Sequence, residues 1–153
     1  ASFPLTNLWD DIINVSSNIF YSKDLVTLPQ WFTIDLGQTV CFSRMKLHQR
    51  TSVVPYHAVW VKSFEIWGTN SYDSDGGWKN WKLLGKFDSR IPSGSVWPDY
   101  TAEDVAYQMN GEDFTFIQPQ QEVRYIRFKL LDTYGGIGKY QFSELTFWGQ
   151  IVQ

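Results

Sequence analysis

Few side chains in this sequence can do covalent chemistry, and they do not stand at the spacings that such chemistry needs. The two histidines, His48 and His57, form neither a His-Glu-x-x-His pattern nor a paired metal-ligand spacing. The serines of "IPSGS" (91–95) lack the strand–turn–helix context of a nucleophile elbow. Asp10-Asp11, Glu103-Asp104 and Glu112-Asp113 could supply the two carboxylates of a glycosidase. Adjacent acids in loops, however, more often serve as solvated turn or cap residues. No phosphate-cradling glycine loop follows a strand. The single cysteine, Cys41, has no internal disulfide partner. It sits in the alternating "VCFSRMKL" and reads as a buried, inert thiol. Catalysis is not expected.

The densest concentration of binding-type residues is "WGTNSYDSDGGWKNW" (67–81). It would serve as an aromatic platform for a sugar ring, as a calcium loop, or as a turn between core strands. An EF-hand loop starting at Asp73 would need Asp or Asn at 77, Gly at 78 and Glu at 84. The chain has Gly77, Trp78 and Leu84 there, so that reading fails. "SYDSDGG" holds residues that tolerate turn geometry. The stretch is therefore expected to be architectural, with Trp67 and Trp81 in the body of the fold and Trp78 covering the turn.

Composition narrows the function classes. Aromatic content is 18%, with Trp 8, Tyr 8 and Phe 11; such residues favour half-buried strand surfaces and, where exposed, stack on flat ligand faces. A net charge of -3 gives no basic stripe for phosphates, so nucleic acid is not an expected partner. No apolar run is long enough to span a bilayer. The chain starts "ASFPLTNLWDD", without an initiator Met, and is read as a processed product or an excised piece of a longer protein.

Hydrophobic residues recur with a period of two almost throughout. In "WFTIDLG", Phe32, Ile34 and Leu36 point one way and Trp31, Thr33 and Asp35 the other. "VCFSRMKLH" (40–48), "VWVKSFEIWG" (59–68), "WKLLGKF" (81–87), "EVRYIRFKLL" (122–131) and "FSELTFWG" (142–149) also read as strands. Within the fifth of these, Ile126, Phe128 and Leu130 face inward, and Tyr125, Arg127 and Lys129 outward. "TAEDVAYQM" alone suits a short helix, with Glu103 and Asp104 in its first turn. Long connections rich in Gly, Pro, Ser and Asn separate the strands. The pattern predicts an all-β sandwich of one domain over residues 1–153, without internal repeats.

Several segments, in order, resemble the coagulation factor 5/8 C-terminal (discoidin) domain superfamily, which shares its jelly-roll fold with the family 32 carbohydrate-binding modules. These are "LWDD", "LPQWFTIDLG", "MKLHQR", "FEIWGTN...DGGWKNWKLLG", "VRYIRFKLL" and "FSELTFWG". "IPSG" followed by "TAEDVAYQMNGEDFTF" resembles the Bacteroidetes branch, many members of which have no assigned activity. The resemblance implies a galactose-binding-domain-like jelly roll of about eight strands with long loops. It also implies an origin in an exported protein at the cell surface or in the periplasm of a Gram-negative bacterium.

The same resemblance implies a glycan met by loops at one end of the sandwich. Arg50, ending "MKLHQR", matches an arginine that holds sugar hydroxyls. Tyr21 stands where galactose-type members carry a histidine, and Tyr134 and Tyr140 stand in the late aromatic loop. Tyr56 and His57 follow Arg50 and are expected on the same rim. A structural calcium is implied at Asp10, Asp11 and Glu144, where Asp11 replaces the family's glycine. The leading expectation is a non-catalytic carbohydrate-binding domain for a polysaccharide or glycoprotein sugar. The alternative is a module that docks a partner protein or braces other domains of its parent. Membrane binding through "SVVPYHAVW" is the weakest reading, because the segment has few apolar spikes and no basic rim.

Overall fold

The computed structural model describes residues 3–22, 27–51, 54–117 and 121–153. Ser52 and Val53, which open the segment weighed as a membrane spike, fall outside them. Among the described residues eight strands form: β1 (Phe20–Tyr21), β2 (Gln30–His48), β3 (Val61–Thr69), β4 (Lys82–Asp88), β5 (Glu112–Thr115), β6 (Glu122–Thr133), β7 (Gln141–Phe142) and β8 (Glu144–Ile151). Helix α1 (Ala102–Asn110) precedes β5, and a 3₁₀ turn spans Leu5–Trp9. The all-β expectation holds, and the helix lies where "TAEDVAYQM" placed it. No helix among the described residues is long and apolar enough to cross a membrane.

The two segments expected as separate strands, 31–37 and 40–48, are one strand with a kink. Gly37 adopts φ 75, and the pairing register shifts between Asp35 and Val40. Up to Asp35, and again at Val40 and Cys41, β2 pairs with β6; over Arg44–Leu47 it lies between β5 and β8. The main sheet runs β4-β3-β6-β2-β5, with β8 on the free edge of β2, and every strand pairing is antiparallel.

The sheet must curl back on itself, because rings from its two ends touch. Phe114 of β5 lies 5.1 Å from Phe64 of β3 and 5.2 Å from Phe87 of β4, centroid to centroid. Between these ends a ladder of aromatics fills the interior. Phe128 stacks on Phe64 at 4.8 Å, on Phe32 at 5.4 Å and on Phe142 at 5.2 Å. Ile126, Phe128 and Leu130 are fully buried, as the alternation of β6 requires. The high aromatic content is thus mainly core.

One residue departs from the alternation. Arg127 points to the outer face as expected, yet it is only 2% exposed. Trp78, from the loop between β3 and β4, folds over that face. The guanidinium carbon lies 4.5 Å from the Trp78 ring and 4.1 Å from the Trp81 ring. Arg127 also donates to Thr33 Oγ1 at 3.0 Å and to the Gly77 carbonyl. The turn 70–77 is architectural, as expected, but Trp78 covers the sheet rather than its own turn.

Candidate functional site

At one end of the sandwich, three connections share a small aromatic core separate from the main one. Tyr56, Val59 and Trp60 are buried there, packed with Ile91, Tyr134 and Ile137. The segment 54–60 is stitched to 133–141 by backbone bonds: Tyr134 N to Trp60 O at 3.1 Å, Gly135 N to Ala58 O at 2.9 Å, and Gln141 N to Val59 O at 3.0 Å. Gly135 is required by this approach, since a Cβ there would lie 2.9 Å from the Ala58 backbone. The third connection, 89–101, joins through Tyr134 Oη, which donates to Ser89 Oγ at 3.1 Å.

Asp104 holds that third connection in place. It is fully buried in the first turn of α1, where it forms a capping box with Thr101. It accepts from Thr101 N at 2.8 Å, Ser93 N at 3.0 Å, Ser93 Oγ at 2.7 Å and Tyr56 Oη at 3.4 Å. Burial works against its charge, but the bonds from Ser93 and Thr101 prevail and hold the carboxyl below the ordinary aspartate value. Ser93 Oγ in turn accepts from Ser95 Oγ at 2.8 Å, so the polar chain reaches the tip of the loop. Glu112 braces the other end, accepting from Arg90 N and Tyr107 Oη, each at 2.9 Å. Two of the three acid pairs thus serve structural roles through Asp104 and Glu112.

What this scaffold presents to solvent is Trp97. Its side of the loop carries Val96, Trp97 and Tyr100, with Trp97 51% exposed. The exposed His57 ring meets Trp97 at a centroid distance of 6.5 Å, edge to face. A flat indole and an imidazole held by a pre-ordered loop offer stacking area and a hydrogen-bonding edge at low entropic cost. Of the expected rim residues, His57 occupies this position. Trp97 was missed from the sequence, though a tryptophan among Ser, Gly, Pro and Asp, outside any apolar period, signals exposure.

The other expected ligand residues are placed differently. Tyr56 and Tyr134 come together, 5.3 Å between centroids, but as the small core beneath the rim. Burial pushes the Tyr134 hydroxyl up to about 12. Tyr140 is 4% exposed: it immediately precedes β7, whose pairing with β1 draws its ring to 5.6 Å from Phe20. Neither Tyr56 nor Tyr140 offers a free face, which corrects the expectation that both line the rim. Tyr21 is half-buried, with Lys139 Nζ 4.8 Å over its ring. Arg50 straps two segments, donating to Ser16 O at 3.1 Å and to Gln141 Oε1 at 3.2 Å.

The expected calcium residues form a braced turn instead. Asp11 adopts φ 61, the left-handed conformation that a glycine takes easily, so the Asp-for-Gly replacement is accommodated. Both Asp10 carboxylate oxygens accept from Asn18 Nδ2, at 3.1 and 3.0 Å, and Oδ1 also from Ile12 N at 3.0 Å. Glu144 is buried, and its Oε2 has no hydrogen-bond partner among the described residues. Calcium needs six to eight oxygen ligands. Here N–H donors take up the Asp10 carboxylate, and among the described residues no three His, Cys, Asp or Glu side chains group to hold a metal. As placed here, Asp10, Asp11 and Glu144 are not grouped around one cation position.

Burial drives the Glu144 carboxyl up to about 7, and the charges of Asp10 and Asp11 add to the rise. A carboxyl raised in the native state keeps a proton that the unfolded chain releases near 4.5. In chelated buffer, stability is therefore expected to fall as pH rises from about 4.5 to about 7. Urea denaturation across that range measures the slope, and Glu144→Gln should flatten it.

Comparison with known proteins places this architecture. The chain superposes on a SusE-like Bacteroides protein with a TM-score of 0.88 and 35% identity, over 97% of this chain and 58% of that one. The chain thus spans little more than half the length of that relative. The C-terminal domain of a chitobiase from Bacteroides fragilis superposes with a TM-score of 0.67 at 17% identity, over 98% of this chain and 83% of that one. A family 32 carbohydrate-binding module from Clostridium perfringens, solved with galactose, gives a TM-score of 0.62 at 17% identity, over 95% and 84%. These likenesses show the jelly-roll fold that the sequence motifs implied. No curated protein sequence matches the chain. Residues 9–149 match the model of DUF5000, a domain of unknown function, and the chain belongs to that family.

Proposed function

We propose that this domain is a non-catalytic glycan-binding module that serves a larger exported protein. The observation that carries the reading is Trp97: an indole half open to solvent, beside His57, on a loop fixed by Asp104 at one end of the sandwich. An exposed tryptophan that no core needs is costly to keep on a soluble surface, and a sugar ring is the flat, partly apolar ligand it suits. The polar edge of His57 then selects among hydroxyl patterns. Several structural neighbours are carbohydrate-binding modules, which supports the class of ligand.

A glycan array followed by calorimetry tests this reading. Trp97→Ala is expected to weaken binding about 30-fold, in line with the loss of a central aromatic anchor, with the melting temperature unchanged. Binding to no glycan, or equal binding by wild type and variant, would overturn it. A second reading, docking of a neighbouring domain, draws on the mainly apolar cleft of about 380 Å³ among Trp9, Ile34, Leu36, Leu145 and Phe147.

A further inference from the structure

Where helix α1, the start of β5 and the 54–60 segment meet, they leave a cavity of about 10 Å³. Its walls include Trp60, Ser89, Arg90, Tyr107, Gln108 and Glu112. Part of this wall is bonded to itself. Tyr107 Oη donates to Glu112 Oε1 at 2.9 Å and accepts from Arg90 Nε at 3.2 Å. Glu112 Oε1 also accepts from Arg90 N at 2.9 Å. A carboxylate has about four lone-pair sites, so Glu112 can accept further hydrogens.

Two polar atoms of the same walls stand apart from this network. Trp60 Nε1 and Gln108 Oε1 are buried and make no hydrogen bond to the described residues. The side chains that carry them are deep in the fold, Trp60 at 1% and Gln108 at 6% exposure. The pair is complementary: an indole N–H only donates, and an amide oxygen only accepts. The Gln108 amide cannot be read the other way round, because its Nε2 donates to Arg50 O at 3.0 Å and a carbonyl there would face a carbonyl. A donor and an acceptor thus line one cavity without meeting each other. A molecule that accepts and donates at once would satisfy both.

We propose that this cavity binds one water molecule, which accepts from Trp60 Nε1, donates to Gln108 Oε1 and turns its other hydrogen toward the Glu112 carboxylate. Size and chemistry select the occupant. Roughly 10–15 Å³ suffices for a single water, which needs two to four polar partners, and nothing larger fits. A metal cation could not accept from the indole, and an apolar group would leave both atoms unmatched. Two buried groups without partners cost more than holding one water in place. The bound water joins the helix that bears Asp104 to the segment that bears His57. Trp60 passes the link on, since its carbonyl accepts from Tyr134 N at 3.1 Å. The assignment rests on the cavity and its walls alone, and is independent of any glycan at the rim.

Nuclear magnetic resonance of the whole domain tests it. The Trp60 indole proton, identified by its loss in Trp60→Phe, should show a cross-peak to water. The Overhauser effects behind that peak should have opposite signs in the laboratory and rotating frames, as they do for a held water and not for proton exchange. Relaxation dispersion of the water oxygen counts held waters and ignores side-chain hydroxyls. Its amplitude should fall by about one water in Gln108→Met, where the side chain keeps its length but offers no carbonyl. Trp60→Phe should lose the same water, and the double variant no more than either single one. The proposal is overturned if the cross-peak is absent or of the exchange type, or if either folded variant leaves the oxygen amplitude unchanged. Should Trp60→Phe fail to fold, the wild-type cross-peak and Gln108→Met decide the matter between them.

Discussion

Asp104→Ala is expected to destabilise the domain by about 4 kcal/mol and to abolish glycan binding even where the remaining fold survives. The carboxylate is fully buried and accepts from Thr101 N, Ser93 N, Ser93 Oγ and Tyr56 Oη. Hydrogen bonds to a charged acceptor are the strong ones, and their removal leaves buried donors without partners. The functional part of the loss follows from position. Without Asp104 the segment 89–101 keeps Glu112 at its start but nothing comparable near Ser93, so Trp97 is no longer held beside His57. Urea denaturation reads the first effect and a glycan array the second. The pH signature separates this carboxylate from others. Its native value is held below the ordinary 3.8, so its contribution is complete above that pH and is lost as pH falls through the native value. Asp104→Asn should remove that acid-side loss while keeping part of the hydrogen bonding.

Arg127→Met is expected to cost about 3 kcal/mol, a large effect for a residue on the outer face of a sheet. Methionine fills the space of the arginine stem beneath Trp78, so the loss isolates the guanidinium. That group bonds Thr33 and the Gly77 carbonyl and lies against two indoles, tying the 70–77 turn to β6 and β2. Lysine should fail to rescue it, since a single ammonium lacks the planar fork that packs against both rings while donating in two directions. Guanidinium chloride denaturation measures the energy. Near-ultraviolet circular dichroism should lose the Trp78–Trp81 signal in both variants.

The strands were legible because their physics is local. A period of two in "VRYIRFKLL" places Ile126, Phe128 and Leu130 in the core whatever the neighbours, and all three are fully buried. The acids at 103 and 104 marked a helix start for similarly local reasons. The kink in β2 was harder to read, because Gly37 looked like the end of one strand rather than a bend within it. β1, β5 and β7 were not foreseen. Strands of two to four residues carry too little pattern, and they exist through partners far along the chain, as Phe20 does opposite Phe142.

The site was legible only in outline. Family motifs pointed to one end of the sandwich and to His57, but exposure is a tertiary property. Tyr140 looked free in a glycine-rich loop and is packed on Phe20 and Phe142. Arg127 looked solvated and is roofed by a tryptophan about fifty residues away. Trp97 is the reverse case: the absence of any period around it was the available signal.

The long strand β2 has a consequence for synthesis. Its first half waits for residues 125–130 and its second for 112–115 and 144–151. The nucleus of such a topology closes large loops before it gains contacts, so folding is slow for the domain's size. On a ribosome, β2 emerges early and stays without a full set of neighbours until β8 is free of the exit tunnel. During that interval its exposed edges and apolar face are open to other chains. Whatever shields nascent segments in the cell must therefore cover residues 30–48 for nearly the whole time the domain is being made.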